Sequence, residues 1–343
     1  MLPPGLTAPG LGLSGLLHIA TVRPAAPGVN PPPSYARRVP SAPRPLAPTY
    51  QQRTWTLPPD AVVHHGTVDD AADLLRGRTF TALTGAGIST DSGIPDYRSP
   101  DSPPRNPMTY EQFVGDEAFR RHYWARNHVG WQHVRRTRPN DGHRALAALE
   151  AAGIVRGVIT QNVDLLHEDA GSRRVIDLHG RYDRVACLTC GRVISRARLA
   201  ERLDALNPHF LDTVLAEGLT VSDIEVAPDA DAVVEQTSHF VPAPCEFCGG
   251  VLKPEIVYFG ETVPRERVER AYAMVDDADA LVVAGTSLTV MSGLRFVRHA
   301  AKRGTPVVII NRGPTRGDPL ATLKLDAGTT ETLTTLAATL TSR

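Results

Sequence analysis

Residues 83–100 read LTGAGISTDSGIPDYRSP, and this stretch decides the fold. It follows RTFTALTG, a short apolar run with strand character. Gly85 and Gly87 then open a tight turn in which glycine can take positive φ and let backbone approach a pyrophosphate at a helix N-terminus. A dehydrogenase fingerprint needs a third glycine, but Thr90 stands there. The acidic ribose residue about 20 positions on falls in SPPRNP, which ends no strand. By itself the turn reads equally as an ordinary tight turn. It also runs straight into a second polar loop with Gly93, Pro95, Asp96, Tyr97 and Arg98. Hydride transfer is therefore disfavoured, and a phosphate cradle beside a second loop is the pattern to explain.

Outward from the turn, strands and helices alternate. TVDDAADLLRG has helical spacing and stops at Gly77. NDGHRALAALEAAG is a helix with Asn140 or Asp141 as N-cap and Gly153 beyond its end. IVRGVIT, VIDLHG, ALVVAGTS and PVVIIN read as strands, the last two as near-continuous apolar runs buried on both faces. Helices are expected at Pro264–Val275, Met291–Arg303 and Thr330–Thr341. This order predicts an α/β fold with a doubly wound parallel sheet. Gly85, Gln161, His179, Gly285 and Asn311 then all fall just past strand C-termini, the edge where open α/β sheets bind ligands.

The chain has 343 residues, 42% hydrophobic, with 37 basic and 37 acidic side chains. Neutral charge gives no basic field for nucleic acid, and no apolar run reaches membrane-span length. Residues 1–50 hold 12 of the 29 prolines and no acid. They read as a disordered leader extending to about residue 59, an over-long start being the plain alternative. The four cysteines form two pairs, Cys187/Cys190 and Cys245/Cys248, separated by the 54 residues 191–244. Two CxxC turns, CLTCG and CEFCGG, give a closed Cys₄ zinc site of structural type, with redox pairs or free thiols as alternatives. Their use for metal rather than disulfides points to a reducing compartment.

The other motifs are weaker one by one. Gln161, Asn162 and Asp164 can contact a ribose or an amide, yet Asn162 alone reads better as a helix cap. His167 reads as structural. His179 at a strand tip is a candidate general base or an ordinary structural histidine. LKPEIVYFGE and AGTSLTVMSG sit at the ends of strands read as adjacent, where an extended peptide could pair.

Taken together, GAGISTDSGIPDYRS, TQNVDLLH, LHG, the paired CxxC turns, KPEIVYFGE and GTSLTV closely resemble the sirtuins, over about residues 60–340. YWARNHVGW and FVPAPCEFCGGVLKPEIVYFGETV resemble in particular the class II branch that contains the mitochondrial fourth human sirtuin and has bacterial members. The resemblance implies an NAD-dependent protein-lysine deacylase that passes the acyl group to ADP-ribose and releases nicotinamide. It implies an NAD-binding domain from 60–180 and 251–343 around a zinc-binding domain at 181–250. Gly85, Ala86, Gly87 and Ile88 would hold the pyrophosphate, with Asp96, Tyr97 and Arg98 folding over the nicotinamide ribose. Gln161, Asn162 and Asp164 would line the nicotinamide pocket, the last two contributing to catalysis beside His179 as base. Gly285, Thr286 and Ser287 would meet the phosphates and ribose, and Asn311, Arg312, Gly313 and Ala327 the adenosine. Val257, Tyr258, Phe259 and Gly260 would flank the acyl-lysine tunnel.

Tyr123 and Arg126 have the spacing of the pair that reads succinyl groups in some sirtuins, but they stand inside YWARNHVGW. Arg126 is read as a wall of that branch's own acyl pocket, the plain alternative being a surface salt bridge on a helix. Partners are acyl-lysine proteins, without nucleic acid or membrane, in the cytoplasm, or in the mitochondrial matrix of a eukaryote. Two other functions stay open: mono-ADP-ribosyl transfer from the same NAD site, and a weakly catalytic NAD-sensing or zinc-ribbon module.

Overall fold

The structure, a computed structural model, describes residues 56–97, 107–215 and 237–342. Arg98 and nearly all of the expected proline-rich leader lie outside the described residues. Six strands make one parallel sheet: β1 (Phe80–Thr84), β2 (Val155–Thr160), β3 (Val175–Asp177), β7 (Ala280–Ala284), β8 (Val307–Ile310) and β9 (Leu323–Leu325). Their order is β3-β2-β1-β7-β8-β9, so the chain winds outward in opposite directions from the β1–β7 pair. That pair is the topological switch point, and in open α/β sheets ligands bind beyond the C-terminal ends of the strands at such a point.

Every residue of β1 and β7 is buried, which is why β7 reads as an unbroken apolar run, whereas β1 buries Thr81 and Thr84 among its apolar residues. Alternation decides which side each residue serves. Phe80, Ala82, Val282 and Ile310 face α1 (Val68–Leu75), α4 (Asp141–Ala151) and α10 (Thr329–Thr341), meeting Leu75, Leu146, Leu149 and Leu333. Leu83, Leu281, Val283 and Ile309 face α8 (Arg265–Asp276) and α9 (Met291–Lys302), meeting Val275, Phe296 and Val297. The start of α1 is fixed by a capping box between Thr67 and Asp70, and Gly77 follows its end with φ 72°. Asn140 is the N-cap of α4, accepting from the Gly142 and His143 amides.

A second, three-stranded antiparallel sheet has the order β5-β4-β6, from β4 (Gly180–Cys187), β5 (Val193–Ser195) and β6 (Leu252–Ile256). It packs on α3 (Glu117–Val134) and α6 (Arg196–Leu206) through Trp124, Val185, Leu199, Leu203 and Leu252. One expectation is corrected here. LKPEIVYFGE and AGTSLTVMSG do not end neighbouring strands, because β6 pairs with β4 while β7 pairs with β1 and β8. Val257–Gly260 leave β6 as a loop rather than as a strand of the large sheet.

Candidate functional site

The five rim positions occur where they were expected. Gly85 follows β1, Gln161 follows β2, His179 lies two residues past β3, Gly285 follows β7 and Asn311 follows β8. The glycines work differently from the expectation. Gly85 has φ −141°, and positive φ belongs to Gly285, at 65°. What the turn needs is closeness. The Gly87 amide donates to the Gly285 carbonyl at 2.8 Å, and a Cβ on Gly285 would lie 2.4 Å from the Ile88 nitrogen. A Cβ on Gly85 would lie 2.6 Å from that of Thr286. Three glycines let the half-buried Ala86–Ile88 turn dock onto the end of β7.

Behind this turn lies a buried polar network. Asn162 is not a helix cap: α5 (Leu166–Asp169) begins after Leu165, and the Asn162 amide donates instead to the Gly85 carbonyl at 3.2 Å and to Ser89 Oγ at 3.0 Å. Ser89 donates to Asp164 Oδ2 at 2.7 Å, and Asp164 Oδ1 accepts from the Leu166 amide. The Asn140 side chain reaches the Ile88 carbonyl at 2.7 Å and also lies 3.0 Å from His143 Nδ1. The His143 and His167 rings sit 4.9 Å apart, and His167 Nε2 meets Thr84 Oγ1 at 2.8 Å. Ser89, Asn140 and His143 were not anticipated as members of the site, since contacts across more than 50 residues leave no local pattern.

This network carries a pH dependence. Burial, helped by Arg144, lowers the His143 pKa from 6.5 to about 4. Burial and then His143 place His167 well below its ordinary range. Both fold neutral, whereas the unfolded chain protonates them near pH 6.5. Below that pH the unfolded state binds more protons, so stability falls as pH falls. Asp164 acts oppositely, because burial raises its pKa, but it is one group against two. From pH 7.5 to pH 5 His143 is expected to remove roughly 2 kcal/mol of stability, and His167 acts in the same direction. Denaturant melts at the two pH values, with zinc saturating, check this, and His143→Gln should lose part of the difference. A folded His143→Gln variant that keeps the full wild-type difference would contradict a buried neutral imidazole at this position.

His179 is oriented from both sides. Its Nδ1 lies 2.9 Å from the Gln161 carbonyl, which can only accept, so Nδ1 carries the proton and Nε2 the lone pair. Ser292, at the start of α9, donates to Nε2 at 2.8 Å. Burial lowers the His179 pKa to about 4, with smaller contributions from Arg267 and Arg295 opposing the lift given by Gln161. The ring is thus neutral at physiological pH and able to accept a proton. Gln161 in turn donates to the Thr84 carbonyl and to Thr286 Oγ1 at 3.1 Å. Gly293 makes room for it, since a Cβ there would lie 2.7 Å from Gln161 Oε1.

Beyond β6, the Val257 amide donates to the His179 carbonyl at 2.7 Å, which fastens the next loop beside the histidine. Tyr258 stacks on Phe113 with centroids 5.1 Å apart and meets Tyr123 edge-on at 5.4 Å. Tyr97 meets Phe259 edge-on at 6.3 Å, so the second polar loop reaches the wall of the Val257–Gly260 segment. Asp96 lies on that same loop. Arg126 is half-buried and contacts His122 Nε2 at 3.1 Å, while His122 Nδ1 meets Thr237. On the far side of the switch point, Ser287 Oγ meets Thr289 Oγ1, and the Asn311 amide donates to the carbonyls of Arg312 and Gly313. The Gly313 amide donates to Asp326, and Ala327 packs against the core beneath.

The four cysteines cluster on the second sheet. Their Sγ atoms all lie within 4.8 Å of one another, with Cys187–Cys248 at 3.5 Å and Cys190–Cys245 at 3.8 Å. A tetrahedral zinc with bonds of about 2.3 Å sets its sulfurs about 3.8 Å apart, so these side chains fit the ion. The four are the ligands of one structural zinc, and four sulfurs leave no open position for catalysis.

Comparison with known proteins gives a consistent result. The model described as Sir2 family matches residues 85–292. The "NAD-dependent protein deacetylase 1" of Mycobacterium avium (strain 104) is 64% identical over 264 residues, covering 77% of this chain and 92% of that protein. The protein of the same name from Streptomyces coelicolor is 49% identical over 288 residues, covering 83% of this chain and 93% of that protein. A solved complex of Sir2 with p53 peptide and NAD+ superposes with a TM-score of 0.61 at 30% identity, covering 78% of this chain and 96% of that one.

Proposed function

The chain belongs to the Sir2 family, and we propose that its rim residues carry out NAD-dependent deacylation of protein lysines with His179 as general base. The observation that supports the assignment is His179 itself: Nδ1 is fixed on the Gln161 carbonyl, which leaves Nε2, hydrogen-bonded to Ser292 at the start of α9, as the basic atom of the ring. NAD would supply a ribose activated by departure of neutral nicotinamide, and the acyl-lysine oxygen would bond to the anomeric carbon. His179 Nε2 would then accept the proton of a ribose hydroxyl, which attacks the acyl carbon. One water would add to that carbon as the lysine amine leaves with a proton, replacing the oxygen kept by the anomeric carbon, and the products would be nicotinamide, free lysine and O-acyl-ADP-ribose.

The other residues bind and orient. Gly85–Ile88, Gly285, Thr286 and Ser287 hold the phosphates, and Asn311, Arg312, Gly313 and Ala327 the adenosine. Gln161, Asn162 and Asp164 form the nicotinamide side, which is why Asn162 and Asp164 are buried behind the turn and linked through Ser89. Asp96, Tyr97 and Phe259 close the cleft against water, which would otherwise hydrolyse NAD. The large parallel sheet forms the NAD domain. The zinc domain begins at β4, and its second boundary is better drawn after Ile256, because β6 belongs to the small sheet. Among the described residues no helix is long and apolar enough to cross a membrane. We place the enzyme in a reducing cytoplasm.

The substrate's acyl group is read by Tyr123, Tyr258 and Arg126. Tyr123 and Tyr258 are in ring contact, and Arg126 lies one helical turn from Tyr123. Groups bulkier than acetyl, such as lipoyl or methylglutaryl, are expected to be preferred. The test is kcat/KM with acetyl, succinyl, methylglutaryl and lipoyl forms of one peptide. A large preference for acetyl would reject this pocket assignment and leave the deacylase standing. A preference for succinyl that Arg126→Met abolishes would assign Arg126 to a carboxylate instead.

A further inference from the structure

Lys253 is one of three lysines in the chain and is 6% exposed, an unusual place for an ammonium group. It sits on β6, four residues before the loop assigned to the acyl-lysine cleft. Its Nζ pairs with Glu261 Oε2 at 2.9 Å and donates to the Ile256 carbonyl at 2.5 Å, the last residue of the strand. The same Glu261 oxygen accepts from the Tyr258 amide at 2.9 Å. The Glu261 amide donates back to the Tyr258 carbonyl at 3.0 Å, and Gly260 between them has φ 82°. One carboxylate therefore closes the Tyr258–Glu261 turn and is itself anchored by a lysine rooted in the sheet. Nζ also lies 4.9 Å from the Tyr258 ring centroid and 5.9 Å from that of Tyr110, whose amide donates to the Phe259 carbonyl. The ion pair thus fixes the segment from both its backbone and its aromatic side.

We propose that the buried Lys253–Glu261 pair is a positioning device for the acyl-lysine substrate. It holds Tyr258 and Phe259 in the orientation the substrate needs, without touching NAD or His179. The proposal rests on the assignment of Val257–Gly260 to the substrate cleft. A pair that served only stability would not be tied to the one loop between β6 and α8 through the Tyr258 amide and ring. Glu261 is partly open, with 23% of its side chain exposed, so removing Lys253 does not strand a fully buried carboxylate.

The test uses Lys253→Met, Glu261→Ala and Glu261→Gln in the full chain, with melting to confirm folding. Peptide KM should rise roughly five- to tenfold in Lys253→Met and Glu261→Ala, the effect of one displaced hydrogen bond at the cleft wall. Glu261→Gln should rise less, because its amide oxygen still accepts from Tyr258. kcat at saturating peptide and KM for NAD should stay near wild type. Anisotropy with a labelled acyl peptide should show the same loss in direct binding. Unchanged peptide KM in folded Lys253→Met and Glu261→Ala would overturn the proposal alone. So would equal losses in kcat and in NAD affinity, which describe general disturbance. A wild-type chain that turns over no acyl peptide would overturn the functional reading and this proposal with it.

Discussion

Replacing His179 by alanine is expected to lower kcat by about 10²–10⁴-fold, the usual loss of a general base, while NAD affinity stays near wild type. The asymmetry follows from the geometry. The ring's Nδ1 is committed to the Gln161 carbonyl, and Nε2, which is hydrogen-bonded to Ser292, is the atom that in the proposed mechanism takes a proton after the co-substrate has bound. The contacts assigned to NAD come mainly from glycine backbone and from Gln161, Thr286 and Asn311, and of these only Gln161 touches the imidazole, through its backbone carbonyl rather than its side chain. Steady-state turnover and NAD binding by fluorescence, measured on the same preparation, separate the two. Turnover close to wild type in His179→Ala would show that another group is the base.

The second large effect concerns the zinc. Cys187→Ser or Cys248→Ser should release the ion and unfold at least the small sheet. Cys187 ends β4, and its amide and carbonyl bond Arg192 and Gly191 across the knuckle, while Cys245 and Gly249 close the opposite turn. In zinc-finger peptides such a site contributes on the order of 10 kcal/mol to folding. Here the sheet also has an apolar face on α3 and α6, so a partly ordered apo form is expected rather than a random chain. Metal analysis should give one zinc per chain in wild type and none in the variants, with an earlier thermal transition. A zinc-free chain that is folded and fully active would contradict a structural role.

Much of the large sheet was legible in the sequence because of its burial. Strands such as ALVVA and VVII are covered on both faces, so they read as apolar runs, and the polar residue that ends each run marks the ligand edge. Gln161, Gly285 and Asn311 were placed on that edge by this reasoning alone. The cysteine pairs were legible because a shared metal demands the CxxC spacing at both turns. The glycine turn was found for an incomplete reason. Positive φ was anticipated at Gly85 and Gly87, yet their requirement is contact with Gly285, which lies about 200 residues away in the sequence. Sequence spacing does not report an approach of that kind. The same limit hid Ser292 behind His179 and Asn140 behind Ile88. It also made Asn162 look like a helix cap when its amide belongs to the Gly85 turn. The pairing of β6 with β4 was missed because the sequence reading set LKPEIVYFGE at the end of a strand beside that of AGTSLTVMSG, whereas the chain leaves the small sheet at Ile256 to lie beside His179.

The most direct test of the whole account is the identity of the products. Wild-type protein should be incubated with NAD and an acyl-lysine peptide carrying an isotope label in the acyl group, and the mixture resolved by mass spectrometry. Nicotinamide, free-lysine peptide and labelled O-acyl-ADP-ribose should form in equal amounts. Label appearing as free carboxylic acid without O-acyl-ADP-ribose, or ADP-ribose attached to protein while the acyl-lysine persists, would contradict the assigned reaction.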